Sequence, residues 1–341
     1  MSMEWEGMRM RPGTLSNSNR FLAWMLLPAI GAACGSVKAT TDAGGGNDAA
    51  AEVAPPTNDE ACGQFAQLFC ARLGDCAPFA VALLYGDATT CVTRSKLGCT
   101  MDQEITDITR TATDIVACAA AASGASCDDL LAGILPAACQ PKPGTRINGQ
   151  GCGSNLQCMS TLCEKPRTDC GTCAPRAAVN GDCTGDDGCT MGLVCANKKC
   201  QTPGTSGATC DANHPCRGNL YCSNNGNVCA TRSGVAGTAC AGDTSICDLP
   251  HGFGCNVLSM NPSCVAVSVA TGGNACGFMN GALTLCELNN SCAGATIARP
   301  SGTCPNPAGD GQTCGDASHC LSPASCVNGL CRFPSVGSCT K

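Results

Sequence analysis

The stretch CTGDDGCTMGLVCANKKC, residues Cys183–Cys200, holds four cysteines separated by five, five and four residues. Between them lie mostly Gly, Asp, Thr, Asn and Lys, and the larger apolar side chains are Met191, Leu193 and Val194. A unit with so little apolar surface cannot bury a hydrophobic core of its own. The stretch therefore predicts a small loop or β-hairpin module that is held together by two disulfide bonds.

The same cysteine pattern recurs along the carboxy-terminal part of the chain, in some places with insertions. We number six cysteine groups in order: Cys152–Cys173, Cys183–Cys200, Cys210–Cys229, Cys240–Cys264, Cys276–Cys304 and Cys314–Cys331. Nine to eleven residues separate each group from the next. Self-similarity at a period of about 30 residues predicts a tandem array of cysteine-rich repeats. We assign this array to residues 147–341.

The connectivity within a group remains open, because four cysteines allow three pairings. We prefer first to third and second to fourth. The resulting disulfide candidates are Cys183 with Cys195, Cys189 with Cys200, Cys210 with Cys222, Cys216 with Cys229, Cys314 with Cys326, and Cys320 with Cys331. Group one has a fifth cysteine, and Cys339 stands alone near the end. A bond between Cys170 and Cys339 would tie the two ends of the array together.

The composition of the whole chain favours cross-linking over a large apolar core. Of 341 residues 35 are cysteine, while Leu, Ile, Val and Phe together number only 53. Disulfides offset conformational entropy by about 2–4 kcal/mol each and persist in oxidising compartments, which argues against a cytosolic location. The net charge is −6, and the basic residues are scattered singly. This pattern argues against a nucleic-acid partner.

Residues 58–140 hold eight cysteines among helical signals. Apolar stripes at helical spacing run from Cys62 to Leu73 and from Ile105 to Ala119, and a shorter apolar piece covers Phe79–Tyr85. The candidate helix starts and ends are Asn58 or Asp59, Gly74, Asp87 or Thr89, Ser126 with Asp129, and Pro136. The prediction is a bundle of four or five short helices cross-linked by disulfides, placed before the array.

The amino terminus has the order of a secretory signal peptide. Arg9, Arg11 and Arg20 precede the apolar run Phe21–Ile30, and small residues lead to Cys34. The run is too short to span a membrane as a mature helix. The prediction is a signal peptide over residues 1–34, followed by a flexible tether over residues 35–57, which contain a GGG run, alanines and Pro-Pro.

The Gly-Ala-Ala-Cys ending resembles the lipobox of bacterial lipoproteins, whose cysteine is lipidated and becomes the mature amino terminus. Gly31 stands where Leu, Val or Ile is typical. We predict lipidation of Cys34, which leaves an even number of cysteines for pairing. The small residues Gly31 and Ala33 would equally suit ordinary signal peptidase cleavage, which would release the protein.

The lipobox-like start, the tether, the eight-cysteine helical part and the later groups together resemble the cysteine-rich lipoproteins of myxobacterial type. Groups such as GDCTGDDGCTMGLVCANKKC and GQTCGDASHCLSPASCVNGLC are similar to the Dickkopf N-terminal cysteine-rich domain. The resemblance covers most of the chain beyond Asn58 and rests on cysteine spacing and glycine. It implies an extracytoplasmic, surface-associated protein and carries over no catalytic residue.

Two local patterns have the residues of chemical sites. Cys170-Gly-Thr-Cys173 has the spacing of a redox or half-zinc site, but no βαβ context surrounds it and the three histidines, His214, His251 and His319, are distant in sequence. Asp182, Asp186 and Asp187 crowd one turn without EF-hand spacing. Structural half-cystines and turn residues are the favoured interpretations, so we predict neither a metal nor a cofactor.

These observations predict a non-catalytic exported protein of the bacterial outer membrane or cell surface. It would be anchored in the membrane through a lipid, with a structural role or a protein or glycan ligand. The alternative is a secreted disulfide-rich protein that binds or inhibits a ligand. An envelope hydrolase, a third class, would need a pocket that joins a histidine to acidic and nucleophilic side chains.

Overall fold

The computed structural model describes residues 54–333 and residue 339, except 165–169, 225, 241–242, 258, 280, 297–298 and 316–318. The predicted signal peptide, Cys34 and the predicted tether up to residue 53 lie outside the described residues. Among the helices of the described part, none is both long and apolar enough to cross a membrane.

Five α-helices lie near the amino-terminal end of the described chain: α1 (Asn58–Cys76), α2 (Pro78–Tyr85), α3 (Ala88–Gln103), α4 (Ala112–Ser123) and α5 (Cys127–Leu131). A 3-10 turn follows at Ala137–Cys139. Helix α1 packs against α3 and α4, and Phe65 and Ile115 are buried between them. Helix α2 packs against α1 and α3 around Leu73 and Val81. We call residues 57–139 the helical region.

The first helix differs from the prediction at both ends. Thr57 caps it rather than Asn58 or Asp59, because the Thr57 hydroxyl accepts from the Glu60 amide at 3.3 Å while the Glu60 carboxylate accepts from the Thr57 amide at 2.8 Å. The helix also continues beyond Gly74 to Cys76. A glycine inside a helix costs only about 1 kcal/mol, and burial of Cys76 and its disulfide to Cys127 favour the extra turn.

The stripe predicted from Ile105 to Ala119 is not one helix. Helix α3 ends at Gln103, and Asp107 then adopts a left-handed conformation with φ of 66°. Thr111 starts α4 by a capping box with Asp114. The Thr-x-x-Asp spacing was readable in the sequence as a helix start. Asp87 and Ser126 cap α3 and α5, as predicted.

Seventeen disulfide bonds confirm a disulfide-rich fold of small modules. Four join elements of the helical region: Cys62–Cys99, Cys70–Cys91, Cys76–Cys127 and Cys118–Cys139. The first two fasten α1 to α3 at two levels. The other thirteen bonds join cysteines between Cys152 and Cys339, so every cysteine after Cys34 is paired and no bond crosses from the helical region to the groups.

The six groups contain short strands in small sheets. The strands are β1 (Gly151–Cys152), β2 (Cys163–Glu164), β3 (Gly171–Cys173), β4 (Val194–Ala196), β5 (Lys199–Gln201), β6 (Leu220–Ser223), β7 (Val228–Thr231), β8 (Phe253–Cys255), β9 (Cys264–Ala270), β10 (Ala275–Met279), β11 (Ala282–Cys286), β12 (Ser301–Thr303), β13 (Ser325–Val327) and β14 (Leu330–Arg332). Groups two, three and six are two-stranded antiparallel hairpins. Groups four and five share a five-stranded sheet of order β12-β10-β11-β9-β8, in which β9 and β11 run parallel.

All six groups open with the same backbone turn, three residues before their first cysteine. That position has positive φ in each: Gly149, Asn180, Gly207, Gly237, Gly273 and Gly311. The amide of this residue donates to the carbonyl of the group's last cysteine at 2.8 Å. The amide of that last cysteine donates in return to the carbonyl of the next residue of the turn, at 2.7–2.9 Å. Glycine, and less often asparagine, takes this conformation at little cost, which explains the glycine at this position in five groups and the asparagine in group two.

Half-buried arginines join neighbouring groups. Arg176 donates from Nε to the Thr161 hydroxyl of group one at 3.0 Å and from Nη1 to the Cys189 carbonyl of group two at 2.9 Å. Arg232 links the Leu220 carbonyl of group three at 3.5 Å to the Ser245 carbonyl of group four at 3.1 Å. Because each guanidinium carries several fixed donors, one side chain can hold two backbones in a set orientation.

The groups pack back onto the helical region at several points. Helix α2 contacts the 3-10 turns Leu249–His251 of group four and Glu287–Asn289 of group five, and strand β9. Arg94 of α3 binds both carboxylate oxygens of Asp310 at 2.7 and 2.8 Å, donates to the carbonyls of Leu321 and Ser322, and lies over the Phe333 ring. This ion pair keeps the pKa of Asp310 below its usual value.

We expect Arg94→Ala to detach group six from α3. Loss of charged hydrogen bonds at a mostly buried guanidinium should lower the local stability of that contact by about 2–3 kcal/mol. Native-state hydrogen exchange over residues 308–332 measures the loss. The control, Lys96→Ala, removes the exposed ion pair with Asp59 and should cost less than about 1 kcal/mol. Equal protection in both variants would contradict the assignment.

We expect each group to depend on its own bonds. Cys183→Ser with Cys195→Ser opens a bridge of span 12 and should cost about 3 kcal/mol by the chain-entropy relation. Hydrogen exchange should rise over residues 177–201 only. The matched control, Cys210→Ser with Cys222→Ser, has the same span and should raise exchange over residues 204–231 instead. Loss of protection in both places from either variant would show that the groups fold as one unit.

Candidate functional site

The structure gives each of the three histidines a local structural partner. His214 Nδ1 lies 2.9 Å from an Asp211 carboxylate oxygen, and His251 Nδ1 lies 2.8 Å from an Asp248 oxygen. His319 Nδ1 lies 3.3 Å from the Leu288 carbonyl, and its amide donates to the Asn290 side chain. The three residues belong to groups three, four and six. Their contacts fix loops, and the two imidazole–carboxylate pairs are exposed at the surface.

The cysteines of the C-x2-C stretch separate into two different bonds. Cys173 pairs with Cys158 inside group one, and Cys170 pairs with Cys339. In each of groups one to five, the sulfurs of three cysteines lie within 4.8 Å of one another, close enough to ligate a metal. Metal binding requires thiolates, however, and the sulfurs of these described clusters are all in disulfides.

The structure also pairs the predicted cysteines of groups two, three and six. The bonds are Cys183–Cys195, Cys189–Cys200, Cys210–Cys222, Cys216–Cys229, Cys314–Cys326 and Cys320–Cys331. Groups four and five follow the same first-to-third and second-to-fourth scheme despite their insertions. In group one Cys158 pairs with the fifth cysteine, Cys173, and not with the fourth, Cys170. The Cys170–Cys339 bond is the one that the leftover cysteines indicated.

The three aspartates that crowd the turn of group two have separate contacts. Asp182 forms an exposed ion pair with Lys199 at 2.8 Å, which lowers the pKa of its carboxyl. A carboxylate oxygen of Asp186 accepts the Cys195 amide at 2.6 Å. The carbonyl of Asp187 accepts from Arg176 at 2.8 Å. These contacts are those of residues that shape a turn and a group boundary.

A small cavity lies where the helical region meets groups one and two. Its lining residues are Leu135, Pro141, Asn155, Leu156, Thr161, Arg176, Asp187 and Met191. Its volume is about 30 Å³, which is room for roughly one water molecule. Arg176, which lines the cavity, donates hydrogen bonds to backbone carbonyls and to the Thr161 hydroxyl.

One carboxyl with a perturbed pKa, that of Asp102, has no signal in the sequence. Burial raises the pKa of Asp102, on α3, from 3.8 to about 6, because the nearby Arg110 cation offsets only part of the desolvation. Arg110 precedes α4, and its Nη2 is buried without a hydrogen-bond partner in the described chain. A carboxyl with such a pKa is the kind used in acid–base chemistry.

Comparison of the chain with protein-family models, with curated proteins and with solved structures returned no match.

The Asp102 carboxyl predicts a pH dependence of stability. Its native pKa lies above its unfolded value, so the native state binds the extra proton between about pH 4 and 6 and stability from this group falls as pH rises through that window. Asp102→Asn should flatten that slope and raise stability at pH 7 by about 1–3 kcal/mol. Denaturant unfolding from pH 4 to 8 measures it. Asp75→Asn, an exposed site on α1, should leave the slope unchanged.

Proposed function

We propose that this chain is a non-catalytic, exported scaffold or interaction protein of the cell envelope. The observation that carries the proposal is that the cysteine and histidine side chains, which could do chemistry, make structural contacts. All 34 cysteines after Cys34 are half-cystines, and the three histidines hold loops in place. Such extensive disulfide bonding indicates an extracellular or otherwise oxidising environment.

The finer architecture is part of the same proposal. The helical region forms a bundle, and the six groups are tandem repeats of one module similar to the Dickkopf N-terminal cysteine-rich domain. Their shared turn, their shared hydrogen bonds to the last cysteine and their shared connectivity support this. Repeats that stabilise themselves locally can present many solvent-exposed loops, a property that suits binding of a protein or glycan.

The surface of the groups supports an interaction role. Several large apolar side chains are exposed in their turns and loops: Ile147, Met159, Val179, Val235, Val257 and Met260. Ile147 and Val235 occupy the same position of the opening turn in groups one and four, and Val179 occupies the next position in group two. Turns of this kind present side chains to a partner while the bridged backbone behind them stays rigid.

The proposed route to the envelope is lipid attachment at Cys34, with the mature chain on the outer membrane or cell surface. The second candidate, a secreted binding or inhibitory protein, has the same folded part and differs in this anchor alone. Stable anchoring takes two acyl chains, since each buried methylene contributes only about 0.8 kcal/mol and a single chain binds reversibly.

Cys34→Ser decides between the two candidates. The unaltered protein should incorporate labelled fatty acid and appear in the membrane fraction, while Cys34→Ser should lose the label and either accumulate unprocessed or leave the membrane. Cys339→Ser is the matched control, because it removes a cysteine of the described part and should keep the label. Unlabelled wild-type protein in the medium would favour the secreted candidate.

A further inference from the structure

One disulfide differs from the other sixteen in its span. Sixteen bonds join cysteines 11 to 51 residues apart, whereas Cys170–Cys339 joins residues 169 apart. It lies outside the pairing scheme of the groups and connects group one with the chain beyond group six. The bond therefore closes residues 170–339 into one covalent ring that contains groups two to six.

One end of this ring-closing bond, Cys170, is exposed to solvent, whereas Cys339 is buried. Among the described half-cystines only Cys170 and Cys326 are exposed, and the others are buried or half-buried. Thiol–disulfide exchange begins when a thiolate reaches a sulfur, so exposure selects which bonds react. Cys326 lies in hairpin β13–β14, directly opposite Cys331 of the second bridge, Cys320–Cys331. The Cys314 amide donates to the Gly329 carbonyl in the turn of this hairpin at 2.9 Å, which holds Cys314 near Cys326 and favours immediate reclosure.

We propose that Cys170–Cys339 is a clasp, a bond that a dithiol opens while the groups and the helical region remain folded. A thiolate of the dithiol attacks the Cys170 sulfur, the bond between the two cysteines breaks, and Cys339 leaves as a thiolate that takes a proton. The second thiol of the dithiol then displaces Cys170. The dithiol ends as a disulfide, and the two cysteines gain the two electrons as thiols.

Non-covalent contacts flank the clasp on both sides. Arg146 donates from Nη1 to the Cys339 carbonyl at 2.8 Å and is itself paired with Asp107 at 2.8 Å. Arg94 holds group six against α3. These contacts keep the reduced ends near each other, so that the clasp recloses on oxidation. Without the bond, groups two to six are joined to group one through one end of the chain only.

Titration of the folded, unaltered protein with a small dithiol tests the clasp directly. Free thiols are alkylated at each concentration and assigned by peptide mapping. The expected result is full labelling of Cys170 and Cys339 before any of the other cysteines of residues 58–341, with an unchanged far-ultraviolet spectrum. Labelling of Cys314 and Cys326 at the same concentration, or of all cysteines together, would overturn the proposal.

A variant pair tests the ring. A site-specific protease sequence inserted after Gly234, in the exposed linker between groups three and four, allows a single cut within the ring. After that cut the protein with unaltered cysteines should remain one band on a non-reducing gel, because the ring joins the pieces. Cys170→Ser with Cys339→Ser should separate into two. The matched control, Cys314→Ser with Cys326→Ser, removes the other exposed bond and should stay one band. Two bands from the protein with unaltered cysteines would refute the ring; if the double serine variant fails to fold, the titration above still decides.

Discussion

In the groups of this chain, two disulfide bonds meet where a larger domain places its biggest apolar side chains. The buried clusters of groups one and four consist of the four bridged cysteines of each group. A cross-link contributes mainly by restricting the unfolded chain, so it needs few neighbours to act, whereas burial of leucine needs a surrounding core. The rest of each group depends on these disulfides in place of an apolar core, since the strands are too short to be stable alone.

The backbone of each group is fixed by the bridged cysteines more than by the residues between them. In every group the last cysteine exchanges hydrogen bonds with the opening turn, while the intervals between cysteines vary. Group five carries the longest intervals, and its extra residues form strands β10 and β11 that join the sheet of group four. Because the frame tolerates such insertions, the loops can change sequence with little cost to stability.

Sequence reasoning reached the features that are local. The cysteine spacing delimited the groups but left three pairings open in each, of which the preferred one is the pairing that the structure has in groups two, three and six. Asp87 and Ser126 are readable as caps. The sequence did not predict contacts between distant residues. Arg94 and Asp310 are 216 residues apart in the chain, and nothing in the sequence around Arg94 indicates that partner. The raised pKa of Asp102 depends likewise on burial by tertiary packing. The break between α3 and α4 was predictable, because a capping sequence outweighs an apolar stripe there.

The positions of the disulfides along the chain set the order in which they can form. The eight cysteines of the helical region find all their partners among themselves, and each later group closes within 11 to 18 residues. A polypeptide that emerges amino terminus first can therefore oxidise segment by segment, with few wrong partners present at any moment. Cys170 alone must wait for Cys339, which arrives when all other cysteines are already in place. Its bond can therefore form only after groups two to six have been made.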